Sequence, residues 1–144
     1  MFGFSKKKSS FDDAHKTTFI EAISGMLELQ KQFAGTEHPI EDSAGNINRR
    51  AVGYIYGFID AALQGVGQNM SDVSIGIPIT HGVLRRLYSG HEERYVRFLI
   101  ENTKDPVVTL AKQIGGQQYI DYSLGKLTAP MGLARCLIEG EHPK

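Results

Sequence analysis

From position 48 the chain reads Asn48-Arg49-Arg50-Ala51-Val52-Gly53-Tyr54-Ile55-Tyr56-Gly57-Phe58-Ile59-Asp60-Ala61-Ala62-Leu63-Gln64-Gly65. Nothing here alternates polar with apolar at a period of two, so a half-buried strand is excluded. The apolar side chains instead spread over helical spacing, and Asn46 or Asn48 supplies an N-cap for a helix running to about Gln64. Gly53, Gly57, Ala61 and Gly65 fall four residues apart and make one nearly bare ridge. An interior glycine costs a helix about 1 kcal/mol relative to alanine. Close approach of another backbone is the natural compensation, with Tyr54, Ile55, Phe58, Ile59 and Ala62 flanking the contact. An internal helix crossing is the plainest reading. A groove or self-association face is the second, because an isologous interface can use such a seam. A ligand pocket over the ridge is the third.

Helical patterning extends to both sides. Upstream, Phe19, Ile20, Ile23, Met26, Leu27, Phe33 and Ala34 form one stripe in a helix predicted from Phe11 to Ala34. Ser10 and Asp13 resemble a capping box at its start, and Gly35 ends it. Residues 35 to 47 are acidic and turn-rich. Downstream, Val73 to Ile77 is a short strand candidate without an evident partner strand, and Pro78 suits the first turn of a helix with Ile79, Val83, Leu84 and Leu87. Gly90 separates that helix from one that opens with Glu92 and Glu93. Asp105 and Pro106 cap and start another, which Gly115-Gly116 should kink or split, and Thr128 with Pro130 opens the last. The expected fold is mostly α: a compact bundle of six or seven short-to-medium helices around one core. It should occupy residues 11–139, between a flexible basic N-terminus (1–10) and a loose C-terminal tail (140–144).

Composition agrees with a globule of this kind. The 144 residues carry 16 Lys plus Arg against 16 Asp plus Glu, with 41% hydrophobic and 22% charged residues, which excludes a generally basic polyanion binder and a disordered chain. Glycine is in excess, 16 of 144 or about 11% where about 7% is usual. Part of that is punctuation at Gly35, Gly45, Gly90 and Gly140. Neutrality is a sum of unlike parts: residues 1 to 8 carry +3, residues 17 to 48 carry −4 and residues 81 to 100 carry +2.

No transmembrane stretch and no signal-peptide h-region are legible, and the lone Cys136 cannot form an internal disulfide, so a cytoplasmic location is expected. Phe2 and Phe4 beside Lys6, Lys7 and Lys8 are compatible with contact at an anionic membrane, although a frayed terminus is the plainer account.

Candidate chemistry is sparse. Asp12-x-x-His15 and Glu139-x-x-His142 are carboxylate–histidine pairs at one-turn spacing, but one sits at a helix start and the other runs into Gly140 and Pro143, so no metal is assigned to them. Hydrolase elbows, zinc motifs and Walker loops are missing, and Gly65-Val66-Gly67 follows a helix, so no cofactor and no catalytic residue are assigned. Cys136 next to Arg135 reads as a packing residue. Asp60 is expected on the exposed side with Tyr56 and Gln64. Arg85, Arg86, Arg94 and Arg97 interleave with Tyr88 and Tyr95 across a helix–turn–helix pattern. That pattern suggests a nucleic-acid reader. Glu92 and Glu93 at the start of the second helix oppose this, and a Glu93 to Arg97 pair at i to i+4 explains the charges more simply.

The expected function is therefore protein–protein interaction or self-association without catalysis. The candidate contact residues are Gly53, Gly57, Ala61, Arg85, Arg86, Arg94 and Arg97. A nucleic-acid-binding protein is the alternative, and a small enzyme using Asp60, a histidine and a tyrosine, or a metal-binding protein, ranks below it.

Overall fold

The computed structural model describes residues 11–141. These form six helices: α1 (Asp13–Ala34), α2 (Arg49–Gly65), α3 (Val73–Leu87), α4 (Glu92–Glu101), α5 (Pro106–Ser123) and α6 (Gly132–Glu139). No strand occurs among the described residues beyond one isolated bridge between Glu41 and Ile47. The bundle read from the sequence is thus the fold, and every described helix packs against α2.

α2 is central because it is apolar almost all round, with ten of its seventeen residues buried. Asn48 is its N-cap: Oδ1 accepts from the Ala51 N–H at 3.0 Å, and Nδ2 donates to the Cys136 carbonyl of α6. One side chain therefore starts α2 and fastens α6 to it. Phe58 sits between the Tyr54 ring, stacked at 5.9 Å, and the Tyr119 ring of α5, edge-on at 5.2 Å.

The longest packed pair is α2 with α5. A Cβ added at Gly57 would lie 1.9 Å from the Lys112 carbonyl oxygen, and one at Gly53 would lie 2.7 Å from that of Val108. The contact is reciprocal, since a Cβ at Gly115 of α5 would lie 2.2 Å from the Tyr54 carbonyl oxygen. Two backbones thus touch through glycines on both helices. Gly115-Gly116 consequently does not split α5, which runs unbroken from Pro106 to Ser123. The expected kink is absent because α2 supports the helix at that point.

Other boundaries also shifted. α1 is capped by Asp12, whose Oδ1 accepts from the His15 N–H at 3.0 Å, while Ser10 of the anticipated capping box lies outside the described residues. The strand candidate Val73 to Ile77 is the first part of α3, and Pro78 lies inside that helix. Asp72 accepts from Ser74 N–H and Oγ, and Gly76 packs onto the Met70 carbonyl, so a turn is set before the proline. Pro78 then omits one hydrogen bond on an exposed face.

α6 begins at Gly132, beyond Thr128 and Pro130, and its N-cap Met131 provides no side-chain bond. Its first N–H groups are satisfied from other helices. Gly132 N–H donates to Oε1 of Gln118 in α5, and Leu133 N–H donates to Oε1 of Gln30 in α1. Capping by two distant side chains answers the same orphan donors that Ser or Asp answers locally. Gly140 and Glu141, expected in a loose tail, are tied down: Arg50 donates to the Gly140 carbonyl, and the Glu141 carboxylate accepts from the Arg49 backbone N–H at 3.0 Å. The basic N-terminal segment 1–10 and residues 142–144 lie outside the described residues.

Candidate functional site

The ridge singled out in α2 divides in two. Gly53 and Gly57 are buried beneath α5, so neither is open to a second chain, and their interface reading is corrected by the crossing that covers them. Ala61 is half-buried and Gly65 is exposed with nothing near its absent Cβ, because the two helices diverge there. The resulting groove has a volume of about 640 Å³ and contains Asp60, which accepts from Gln64 Nε2 at 3.1 Å and lies 3.8 Å from Lys112 Nζ. No histidine lines it, so the anticipated grouping of Asp60 with a histidine and a tyrosine is not brought together there.

Three of the four singled-out arginines are used within the fold. Arg94 pairs with Glu41 and also donates to the Gly45 carbonyl at 3.0 Å, fastening α4 to the 35–48 loop. Arg85 pairs with Glu92 at 3.3 Å, and Arg86 with Glu21 of α1 at 3.4 Å. The anticipated Glu93 to Arg97 pair is not formed. Tyr88 and Tyr95 pack edge-on to each other at 5.8 Å, with Tyr95 buried, so they offer no stacking platform to bases. Arg94 and Tyr95 together hold the Glu41 carboxyl below its usual range by hydrogen bonding.

A cleft of about 690 Å³ opens between the end of α1 and the α3–α4 junction. Lys31 stands over the Tyr88 ring, 4.5 Å from its centroid, and donates to the Leu87 carbonyl at the end of α3. His91 stacks on Tyr95, whose hydroxyl donates to Glu41 Oε1 at 2.8 Å. The charged atoms of this cleft already answer one another. Burial raises the Tyr88 hydroxyl pKa, and this hydroxyl is left without a hydrogen-bond partner.

Histidines and the cysteine offer little chemistry. His15 Nδ1 lies 2.7 Å from Asp12 at the cap of α1, and Glu139 is taken by Arg50 and Arg135, while His142 is outside the described residues. Among the described residues no group of three or more His, Cys, Asp or Glu side chains converges as a metal site would require. Burial pushes the Cys136 thiol pKa up, with Arg50 and Arg135 opposing and Glu139 reinforcing the shift, which suits packing rather than nucleophilic attack.

Arg97 is exposed, and the other uncommitted side chains of note are apolar. α6 lies between α1 and α5 and presents Met131, Arg135 and Ile138 outward at i, i+4 and i+7. On the α1 side Phe33 is 70% exposed and Leu29 61%, and these line a groove of about 260 Å³ with Tyr122 and Met131. On the α5 side Leu110 is 59% exposed and Ile114 42%, and Ile138 of α6 is 51% exposed. Phe33 was expected in the core stripe of α1. The core instead takes Phe19, Ile23, Leu27 and Ala34, whose spacing turns Phe33 toward solvent. The signal for this face was present in Leu29-x-x-x-Phe33 and Leu110-x-x-x-Ile114, two apolar pairs at i, i+4 lying beside the buried stripes.

No helix among the described residues is long and apolar enough to cross a membrane. Comparison of the chain with protein-family models, with curated proteins and with solved structures found no match.

Proposed function

We propose that this chain works by protein–protein contact, without catalysis of its own, through the apolar face centred on α6. One observation carries the reading: Leu29, Phe33, Tyr122 and Met131 line one groove at the start of α6 and stay exposed, and Leu110, Ile114 and Ile138 are exposed as well. Apolar side chains gathered in the water around one groove mark a contact surface more strongly than singly scattered ones do. Polar groups elsewhere support the same choice, because Arg85, Arg86, Arg94 and the Tyr95 hydroxyl are occupied by internal partners.

The test is site-specific photocrosslinking in cells of the source organism, with a photoreactive residue at Phe33 or at Leu110 and a control at the exposed Glu93 of α4. The expected result is a discrete protein adduct from the two α6-face positions and none from the control. Equal, diffuse labelling from all three positions would overturn the reading.

A further inference from the structure

Resting on the reading of the α6 face as the working surface, we propose that the groove between α1 and the 128–131 segment is an anchor pocket. It takes one large apolar side chain of the partner protein together with a neighbouring main-chain carbonyl. The donor for that carbonyl is Gln30, which is 2% exposed and lines the groove. Its Oε1 accepts from the Leu133 N–H at 2.9 Å, which fixes the orientation of the amide. Nε2 is then left buried without a hydrogen-bond partner. The Tyr54 hydroxyl lies near the amide, but it donates to Gln118 Oε1 at 2.6 Å and is out of hydrogen-bond geometry with Nε2. A buried amide donor that nothing answers is costly in a folded protein. An occupant of the groove that carries an acceptor removes that cost.

The lining decides the kind of acceptor. It contains no charged residue, so an entering carboxylate would lose its water without gaining a cation, whereas a neutral carbonyl gives up far less. Main-chain carbonyls are the neutral acceptors that every protein partner brings.

Size and surface decide the rest. The groove holds about 260 Å³, below the roughly 300–1,000 Å³ of pockets that enclose a drug-sized ligand, and this suits a single side chain. Leu29 and Phe33 of α1 meet Tyr122 and Met131 in the lining, so the side chain that fits is itself apolar: leucine, methionine or phenylalanine. Met26 and Met131 are unbranched thioether chains of the kind that repack readily, which lets an entering group reach the enclosed amide.

NMR of the methionine methyls and the side-chain amides of the full chain, titrated with blocked amino acids, tests the proposal. The probe is N-acetyl-phenylalanine methylamide. N-acetyl-glycine methylamide supplies the carbonyl without the anchor, and toluene the ring without the carbonyl. The expected result is saturable shifts of the Met26 and Met131 methyls at millimolar probe, a downfield move of the Gln30 Nε2 protons, and no change at Met70, which lies outside the groove. Toluene should bind at least tenfold more weakly, and the glycine compound not measurably. Phe33→Ser should weaken binding of the phenylalanine compound while the helical circular-dichroism spectrum stays unchanged.

Unmoved Gln30 protons, or toluene binding as tightly as the phenylalanine compound, would overturn the carbonyl contact and with it the proposal. So would the lack of any saturable shift at tens of millimolar. If photocrosslinks from Phe33 and Leu110 then still reached one discrete protein, the α6-face reading would stand without the anchor pocket. Saturable binding with no such adduct would overturn both, since the groove would then serve a free small molecule.

Discussion

Replacing Gly57 by alanine adds one methyl group at the tightest point of the α2–α5 crossing. That carbon would sit 1.9 Å from the Lys112 carbonyl oxygen, 2.6 Å from its carbonyl carbon and 2.8 Å from its Cα, where ordinary contact begins near 3.4 Å. All three obstacles are backbone atoms of a helix, so no rotamer change relieves the clash. The helices must separate by about 1.5 Å, which unpacks Phe58 and Tyr119 on either side. Overpacking of a dense core costs about 1–3 kcal/mol, occasionally more. A clash with rigid backbone belongs at the upper end. Alanine returns about 1 kcal/mol of helix propensity, leaving a net loss of about 2 kcal/mol or more. For a domain near this size that lowers the melting temperature by roughly 4–8 °C.

Two other glycines calibrate the measurement. Gly25 is exposed within α1 and has nothing within 4 Å of the absent Cβ, so Gly25→Ala should gain about 1 kcal/mol from propensity alone. Gly116 is intermediate, with the Gly57 carbonyl oxygen at 3.4 Å, and Gly116→Ala should be close to neutral. Calorimetry of the three variants at several protein concentrations supplies the order Gly25→Ala, Gly116→Ala, Gly57→Ala from most to least stable. Equal stability of Gly57→Ala and Gly25→Ala would show that α5 does not lie on the ridge. A Gly57→Ala defect that disappeared at low protein concentration would place the ridge between chains instead of within one.

Other consequences follow from polar groups of the core and surface. Gln30→Leu removes the acceptor for the Leu133 N–H while Gln30 itself is 2% exposed; a buried orphan donor at the start of α6 should cost about 1–3 kcal/mol in urea denaturation. Tyr88→Phe removes a hydroxyl that has no partner, so it should be neutral or slightly stabilising in the same assay, in contrast to Tyr54→Phe, which loses the 2.6 Å bond to Gln118. Acid should unfold the protein through its paired carboxylates. Glu41, Glu139 and Asp105 are all held below their usual pKa range, the first two chiefly by arginine hydrogen bonds; for Asp105, burial acts upward but is outweighed by Arg49 and the Val107 and Val108 N–H groups. A depressed folded-state pKa gives stability that is complete above the unfolded value near 4–4.5 and lost as pH falls through the folded value. Melting temperature should therefore fall below about pH 4, and Arg94→Ala should lessen that pH dependence through Glu41. Cys136, buried with a raised pKa, should react with a thiol reagent at pH 8 only at the rate of unfolding, and native-rate labelling would contradict its placement.

The features legible in the sequence share one property: each is set by residues close to one another along the chain. The ridge spacing in α2, the caps Asn48 and Asp105, and the glycines at the ends of α1 and α6 are local, and Gly35 and Gly140 both adopt the positive φ that a chain reversal there requires. Misreadings arose where a distant element decides. Gly115-Gly116 looks like a break only until α2 is placed against it, and Ala111-x-x-x-Gly115 was the visible half of that match. α6 has no local cap, so its start depends on Gln30 and Gln118, 103 and 14 residues away from the N–H groups they receive.

The candidate site fails and succeeds on the same terms. A cluster such as Arg86 and Arg94 looks free in one dimension because Glu21 and Glu41 are more than fifty residues away. Once those carboxylates are in place, the cluster holds α3 to α1 and α4 to the 35–48 loop, and little of its charge is left for a partner. Phe33 makes the opposite move. In one dimension it completes an apolar stripe, but α6 docks against the adjoining stripe of α1 and leaves it uncovered. Tertiary pairing therefore withdraws the polar candidates and exposes an apolar one. On the proposed reading, a chain whose Arg85, Arg86 and Arg94 are paired internally, whose net charge is zero and which leaves Leu29 and Phe33 uncovered has more to gain from burying that apolar surface against protein than from binding a polyanion.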